Sequence, residues 1–189
     1  MTDLQGLLRL LMAVALVAGK TSLATRTESQ CMSIEDAQQV ASNWQNLQST
    51  YNEFSLSLAE ESIAVGFSSY ASSTNTLVNG GCSRPIPLND PTMTSRKSFF
   101  EGQGAQRMIS MRLLNMWHTC STVVVRWRAD PGPDPVVGIT ILEATPAAGG
   151  HAFPWLIETA DSEFSSAAWL TNLGIFTPEC SRNSSRLAR

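Results

Sequence analysis

"RMISMRLLNMWHTCSTVVVRWRADPGPDPVVGITILEA" spans residues 107–144 and holds three runs that read as strands. The runs are 107–117, 121–129 and 136–144. They are divided by His118-Thr119-Cys120 and by the DPGPDP segment at 130–135. Both dividers carry turn chemistry, which sends a strand back beside its predecessor. A fourth run, WLIETADSEF at 155–164, follows the turn-rich TPAAGGHAFP. The pattern predicts an antiparallel meander.

Upstream of the meander the period changes. Ile34, Ala37, Val40, Trp44, Leu47, Tyr51, Phe54 and Leu58 recur at three- and four-residue steps. That is one apolar face of a long helix, or of two helices broken near Asn52. Ser33 and Asp36 have the spacing of a capping box at its start. Ile63, Val65 and Phe67 alternate as in a short strand. Residues 72–94 are rich in Ser, Thr, Asn, Gly and Pro and read as a long loop. Ser95 can cap a short helix over RKSFFEGQG, pinned by Phe99 and Phe100, and SSAAWLTNLG reads as a last helical turn closed by Gly174. Helices first and strands after is an α+β order.

Gly102 and Gly104 resemble the start of a dinucleotide loop, but Arg107 stands where the third glycine belongs. They also follow a predicted helix instead of opening one, so they read as a helix end. No Gly-Lys-Ser/Thr phosphate loop occurs, and no nucleotide cofactor is expected. Thirteen basic residues are scattered through a chain of 189 with net charge −3, which argues against a nucleic-acid partner. With 43% hydrophobic residues, one packed domain is expected.

The amino terminus reads differently. LLMAVALVAG at 10–19 has the length of a signal-peptide core and is short for a membrane span. Ser22 and Ala24 suit cleavage after residue 24; a cut nearer Gly19, or an amino-terminal membrane anchor, are the other readings. The expected organisation is a signal peptide (1–24), a linker (25–30), one domain (31–176) and a flexible tail (177–189). The mature chain is then secreted and free of the membrane, with a glycosylation sequon at Asn183. Four cysteines in an oxidising compartment suggest two disulfides among Cys31, Cys82, Cys120 and Cys180, with three pairings open. Their spacing is wrong for zinc, and no metal site is expected.

Cys31 before an acidic helix, FFEGQGAQ, TCSTVVVRWRA, GITIL and SEFSSAAWLTNLG, in this order over residues 31–174, resemble small secreted fungal proteins of the nuclear transport factor 2-like superfamily. The resemblance implies a cone, a strongly curved antiparallel sheet wrapped around the amino-terminal helices and enclosing an apolar pocket. It implies a Cys31–Cys120 bridge, leaving Cys82–Cys180, and a homodimer through the convex sheet. Relatives often carry tyrosine where this chain has Asp161. The superfamily includes dehydratases, isomerases, cyclases, pericyclases and plain binders, so fold alone does not fix function.

Chemistry must then come from individual residues. His118 and His151 fall in turns and read as surface groups. If Trp155, Ile157 and Thr159 point inward, the two-residue period of a strand brings Asp161 with them. Asp161 is then a general base, or else a strand-end carboxylate bonded to backbone or arginine. Glu163 reads as a structural partner for Arg126 or Arg128, which are expected on the convex face. Tyr51 is the second catalytic candidate, as a hydrogen-bond donor, with core packing as its other reading. Trp44, Phe67, Tyr70, Phe99, Met111, Leu113, Val125 and Trp127 are the candidate lining for a bulky, uncharged, hydrophobic ligand. Among secreted fungal relatives are hetero-Diels–Alderases that join a tropolone-type polyketide to a terpene. The expectation is therefore a cofactor-free cyclisation or cycloaddition catalyst. An isomerase or dehydratase using Asp161, or a non-catalytic binder of a hydrophobic molecule, are the alternatives.

Overall fold

The computed structural model describes residues 31–49, 54–104 and 109–179. The expected signal peptide, Tyr51, Cys180, Asn183 and the end of the expected tail lie outside the described residues.

The predicted apolar stripe forms two helices. In α1 (Ile34–Gln48) Ser33 and Asp36 close the capping box, satisfying amide groups of the first turn. Ala37, Val40, Trp44 and Leu47 are buried, whereas Ile34 at the first turn is 44% exposed. A second helix, α2 (Leu56–Ser62), starts on its own cap, Ser55. The chain then enters β1 (Ile63–Tyr70), the predicted short strand.

Residues 72–94, expected as a loop, hold a helix and a strand: α3 (Ser72–Val78) and β2 (Pro91–Met93). The α3 N-cap is Ala71, whose side chain can accept nothing. Glu163, far along the chain, supplies the missing acceptors. It takes the Ser72 amide at 2.9 Å, the Ser73 amide at 3.2 Å and the Ser73 hydroxyl. The expected pairing of Glu163 with Arg126 or Arg128 is thereby corrected: the helix start outcompetes them for the carboxylate.

Beyond α4 (Arg96–Gly104) come the four predicted strands, β3 (Met111–His118), β4 (Thr122–Ala129), β5 (Val136–Pro146) and β6 (Trp155–Phe164), and then α5 (Ser166–Asn172). Gly102 and Gly104 both fall in the last turn of α4. A Cβ on Gly102 would stand 2.8 Å from the Met93 methyl, the movable end of a side chain on β2.

The six strands form one open sheet in the order β2-β1-β6-β5-β4-β3. It is mixed, not antiparallel throughout, because β1 pairs parallel with β6. The chain between β1 and β6 runs through α3, β2 and α4 to the far edge strand β3 and returns by the antiparallel β4 and β5, which leaves β6 parallel to β1. One face of the sheet packs on α1, α2 and α4, burying Phe67, Val123, Val125, Leu142 and Ile157. Trp44, Phe67 and Phe99 form the aromatic centre, with Phe99 5.8 Å from Trp44 and 5.3 Å from Phe67. Cys31 and Cys120 are disulfide-bonded, and the Met32 amide donates to the Cys120 carbonyl at 2.8 Å, fastening the start of α1 to the β3–β4 turn. Among the described residues Cys82 has no disulfide partner and is exposed; Cys180, to which it was expected to bond, lies outside them.

Candidate active site

The inner face of the sheet is built in rows. Across β4, β5 and β6, Trp127 faces Gly138, and Gly138 faces Phe164. The Trp127 and Phe164 rings meet over the glycine with centroids 5.7 Å apart. A Cβ at Gly138 would lie 2.4 Å from the Trp127 ring, so a side chain here has no room. In the next row Thr140 faces Ser162. The Trp127 indole donates to Thr140 Oγ1 at 2.9 Å, and Thr140 Oγ1 lies 2.8 Å from Ser162 Oγ. Either hydroxyl can donate in the Thr140–Ser162 bond; when Thr140 donates, the Ser162 proton is left for a further acceptor.

These rows floor a cavity of about 450 Å³ that opens between the sheet and the helices. Trp44 and Gln48 of α1, Phe99 and Gln103 of α4, Thr74, Leu77 and Val78 of α3 and Trp169 of α5 form its other walls. Among the described residues the lining holds no carboxylate, imidazole, amine or guanidinium. The volume falls in the range of small-molecule sites, and the lining is mostly apolar with a few polar groups, as such sites are.

The family model for the NTF2-like domain (nuclear transport factor 2-like) matches residues 30–176. The chain belongs to the NTF2-like family. Solved structures share this fold. One is a candidate SnoaL-like polyketide cyclase from Jannaschia sp. CCS1, 12% identical, with 76% of this chain covered, 94% of that chain covered and a TM-score of 0.52. Another is a SnoaL-like protein of unknown function from Burkholderia thailandensis E264, 11% identical, with 71% and 98% covered and a TM-score of 0.50. No curated protein sequence matches the chain.

In this NTF2-like chain, five of the expected lining residues meet at the cavity: Trp44, Tyr70, Phe99, Met111 and Trp127. Phe67 and Val125 are fully buried in the core, and Leu113 is half-buried against it. Tyr70 is 41% exposed and stands at the rim.

Asp161 is not in this cavity. Between Ile157 and Thr159 the β6 register slips, with Ala144 opposite Ile157 but Glu143 opposite Thr159. The extra residue, Glu158, reverses which parity points inward. Trp155 and Ile157 are buried, but beyond the bulge it is Ala160, Ser162 and Phe164 that line the cavity. Asp161 turns outward beside Ile139 and Ile141, into a smaller depression of about 220 Å³ that also takes in Asp90 and Glu163. The expectation of a shared inward face from Trp155 to Asp161 is corrected for that reason.

The remaining charged candidates lie on the surface. Arg126 is exposed and reaches Asn115 Oδ1 at 3.4 Å. Arg128 bonds Asp130 at 2.7 and 2.9 Å, and that hydrogen bond holds the Asp130 carboxyl below its ordinary 3.8 and the guanidinium above its ordinary value. His118 is exposed at a strand end, and His151 lies 3.6 Å from the Glu61 carboxylate. Among the described residues no three His, Cys, Asp or Glu side chains gather as metal ligands would, and no helix is long and apolar enough to cross a membrane. Seven polar residues of the site were not legible in the sequence, Gln48, Ser69, Thr74, Thr92, Gln103, Thr140 and Ser162, and of these Gln103, Thr140 and Ser162 matter most here. A strand reading that allowed for a bulge would have turned Ser162 inward; nothing local marks the other two.

Proposed function

We propose that this protein is a cofactor-independent cyclase whose cavity folds an uncharged, conjugated substrate into a reactive pose. The observation that carries the reading is the combination of an uncharged, largely apolar lining with a hydrogen-bonded chain of an indole and two hydroxyls, Trp127–Thr140–Ser162. A base-catalysed isomerisation needs a proton acceptor at the substrate, and Asp161 faces the other side of the sheet. A pericyclic ring closure needs none. A Diels–Alder cycloaddition turns three π bonds into two σ bonds and one π bond, loses no atoms and moves no proton. Holding the reactants together can lower such a barrier by up to about 7–11 kcal/mol. A hydrogen bond from Ser162 to a carbonyl oxygen of the electrophilic partner withdraws density and lowers the barrier further.

The finer reading is a hetero-Diels–Alder addition joining a tropolone-type quinone methide to a terpene. It is supported by the resemblance to secreted fungal proteins and by the family's SnoaL-like neighbours, one of them a candidate polyketide cyclase. Secretion after removal of residues 1–24, and pairing of two copies through the convex sheet, belong to the same proposal. The test is to incubate purified protein with an o-quinone methide precursor and humulene. The reading expects adduct formed faster and with higher stereoselectivity than in buffer. Equal rate and selectivity would overturn it. A lipophilic molecule that copurifies without being turned over would favour a binder instead.

A further inference from the structure

Ser69 stands apart among the polar side chains that line the cavity. Thr140 and Ser162 bond each other, Gln103 Nε2 donates to Gln48 Oε1, and Thr92 reaches the Ala71 carbonyl. Thr74 and Tyr70 are more open to solvent. The Ser69 hydroxyl has no hydrogen-bond partner among the described residues, although its residue is only 9% exposed. It is nevertheless not one of the enclosed polar atoms that lack a partner, which are Trp44 Nε1, Gln103 Oε1 and Asn75 Oδ1. The hydroxyl therefore keeps accessible surface, on a buried residue that lines the cavity. An unbonded hydroxyl in a mostly apolar wall costs free energy, and an occupant of the cavity that bonds it offsets that cost.

The sheet sets this hydroxyl next to Ser162. On β1 both Phe67 and Ser69 are buried, and Ser69 pairs with Ala160 of β6. Ser69, Ala160 and Ser162 all line the cavity, and Ser162 lies two residues beyond Ala160. The two serines are thus diagonal neighbours on one face of adjacent strands. With strands about 4.8 Å apart and a rise of about 3.3 Å per residue, their backbone positions are roughly 8 Å apart. Two hydrogen bonds of about 2.8 Å each, made to neighbouring oxygens of one ligand, bridge a gap of that order. The polar file Trp127–Thr140–Ser162 across β4, β5 and β6 gains a further member on β1.

We infer that Ser69 is a specificity-determining contact, bonding a second oxygen of the ligand beside the carbonyl that Ser162 receives. The ligand's polar edge is then a hydroxy-ketone or a diketone, held against β6 and β1, with its apolar body turned toward Trp44 and Phe99. A hydroxyl both donates and accepts, so Ser69 serves either kind of second oxygen. The inference rests on the cavity being a ligand site with Ser162 as carbonyl donor. It adds the class of functional group that the ligand carries and the residue that selects it.

The test uses three uncharged diphenyl probes of one shape: benzoin, with ketone and adjacent hydroxyl; deoxybenzoin, with ketone only; and bibenzyl, with neither. Binding is measured by calorimetry on the intact protein. Benzoin is expected to bind about tenfold more tightly than deoxybenzoin, and deoxybenzoin about tenfold more tightly than bibenzyl. Ser69→Ala should abolish the advantage of benzoin and keep that of the ketone. Ser162→Ala should abolish the ketone's advantage. Bibenzyl affinity should stay within about twofold in both variants, which also shows that their cavities are intact. A benzoin advantage that is absent from the wild type, or that survives Ser69→Ala, overturns the inference while the apolar cavity stands. Deoxybenzoin and bibenzyl binding alike would remove the carbonyl contact at Ser162 and the paired anchor with it. If none of the three binds, the ligand-site reading itself falls.

Discussion

Ile141 and Asp161 stand directly opposite each other across β5 and β6, so the aspartate shares the outer face of the sheet with an isoleucine that is 41% exposed. Asp161 is therefore outside the cavity in this chain. Asp161→Asn should leave turnover of the quinone methide and terpene pair within about twofold and stability within about 0.5 kcal/mol, as for other substitutions away from core and site. A hundredfold loss of kcat/KM would restore the aspartate as a base and remove the pericyclic reading.

Glu163 joins the sheet to a cavity wall. It caps α3, whose Thr74, Leu77 and Val78 line the site, and the Phe164 amide donates to Ser73 Oγ at 3.0 Å beside it. Glu163→Ala should cost about 1–3 kcal/mol, measured as a fall in the urea midpoint at constant slope. Glu163→Gln keeps one acceptor oxygen and should cost about half as much. A shift of under 0.5 kcal/mol in the alanine variant would mean that α3 holds its place by packing alone.

These two residues also show what could be read in advance. The strands of the meander were legible because β-branched residues alternate with polar ones between clear turns. The face of Asp161 was not, since the two-residue period carries only as far as the next bulge, and Glu158 bears no local mark of being one. Residues 72–94 look like loop because SSTNTLV is poor in helix formers. Its helix depends on a carboxylate about ninety positions later, which no local window contains. Trp44 was legible as a cavity residue because size and apolarity advertise burial. Gln103 was not, because a glutamine on a short helix reads as solvated until a partner such as Gln48 is placed against it.

Gly138 is where two large rings share one position's space. Gly138→Ala would drive a methyl carbon to within 2.7 Å of Phe164 Cβ as well as into the Trp127 ring. The backbone atoms of β5 cannot retreat without breaking the ladder on both sides. The expected cost is about 1–3 kcal/mol by urea unfolding, together with a change in tryptophan emission as Trp127 leaves Thr140. An alanine variant with wild-type stability and emission would show that the row has slack.

The Cys31–Cys120 bridge closes a loop of 89 residues. By the chain-entropy estimate it stabilises the fold by up to about 4–5 kcal/mol. Replacing both cysteines with serine should lower the urea midpoint by most of that amount, and reducing agent should do the same to the wild type but nothing to the variant. A loss below about 1 kcal/mol would mean that the reduced chain retains the α1 docking by its Met32–Cys120 backbone bond and core contacts.

Thr140 and Ser162 separate architecture from chemistry. Thr140→Val keeps the shape but strips the Trp127 indole of its acceptor in a buried setting, which should cost about 1–3 kcal/mol of stability. It also breaks the chain that orients the Ser162 proton. Ser162→Ala leaves the Trp127–Thr140 bond intact, so its stability should change by less than about 1 kcal/mol. In the proposed reaction, however, both variants lose the same oriented donor, and both should slow turnover by about tenfold or more. Catalysis that falls with Thr140→Val but survives Ser162→Ala would assign the effect to a displaced Trp127, and the hydroxyl would have no part in activating the substrate.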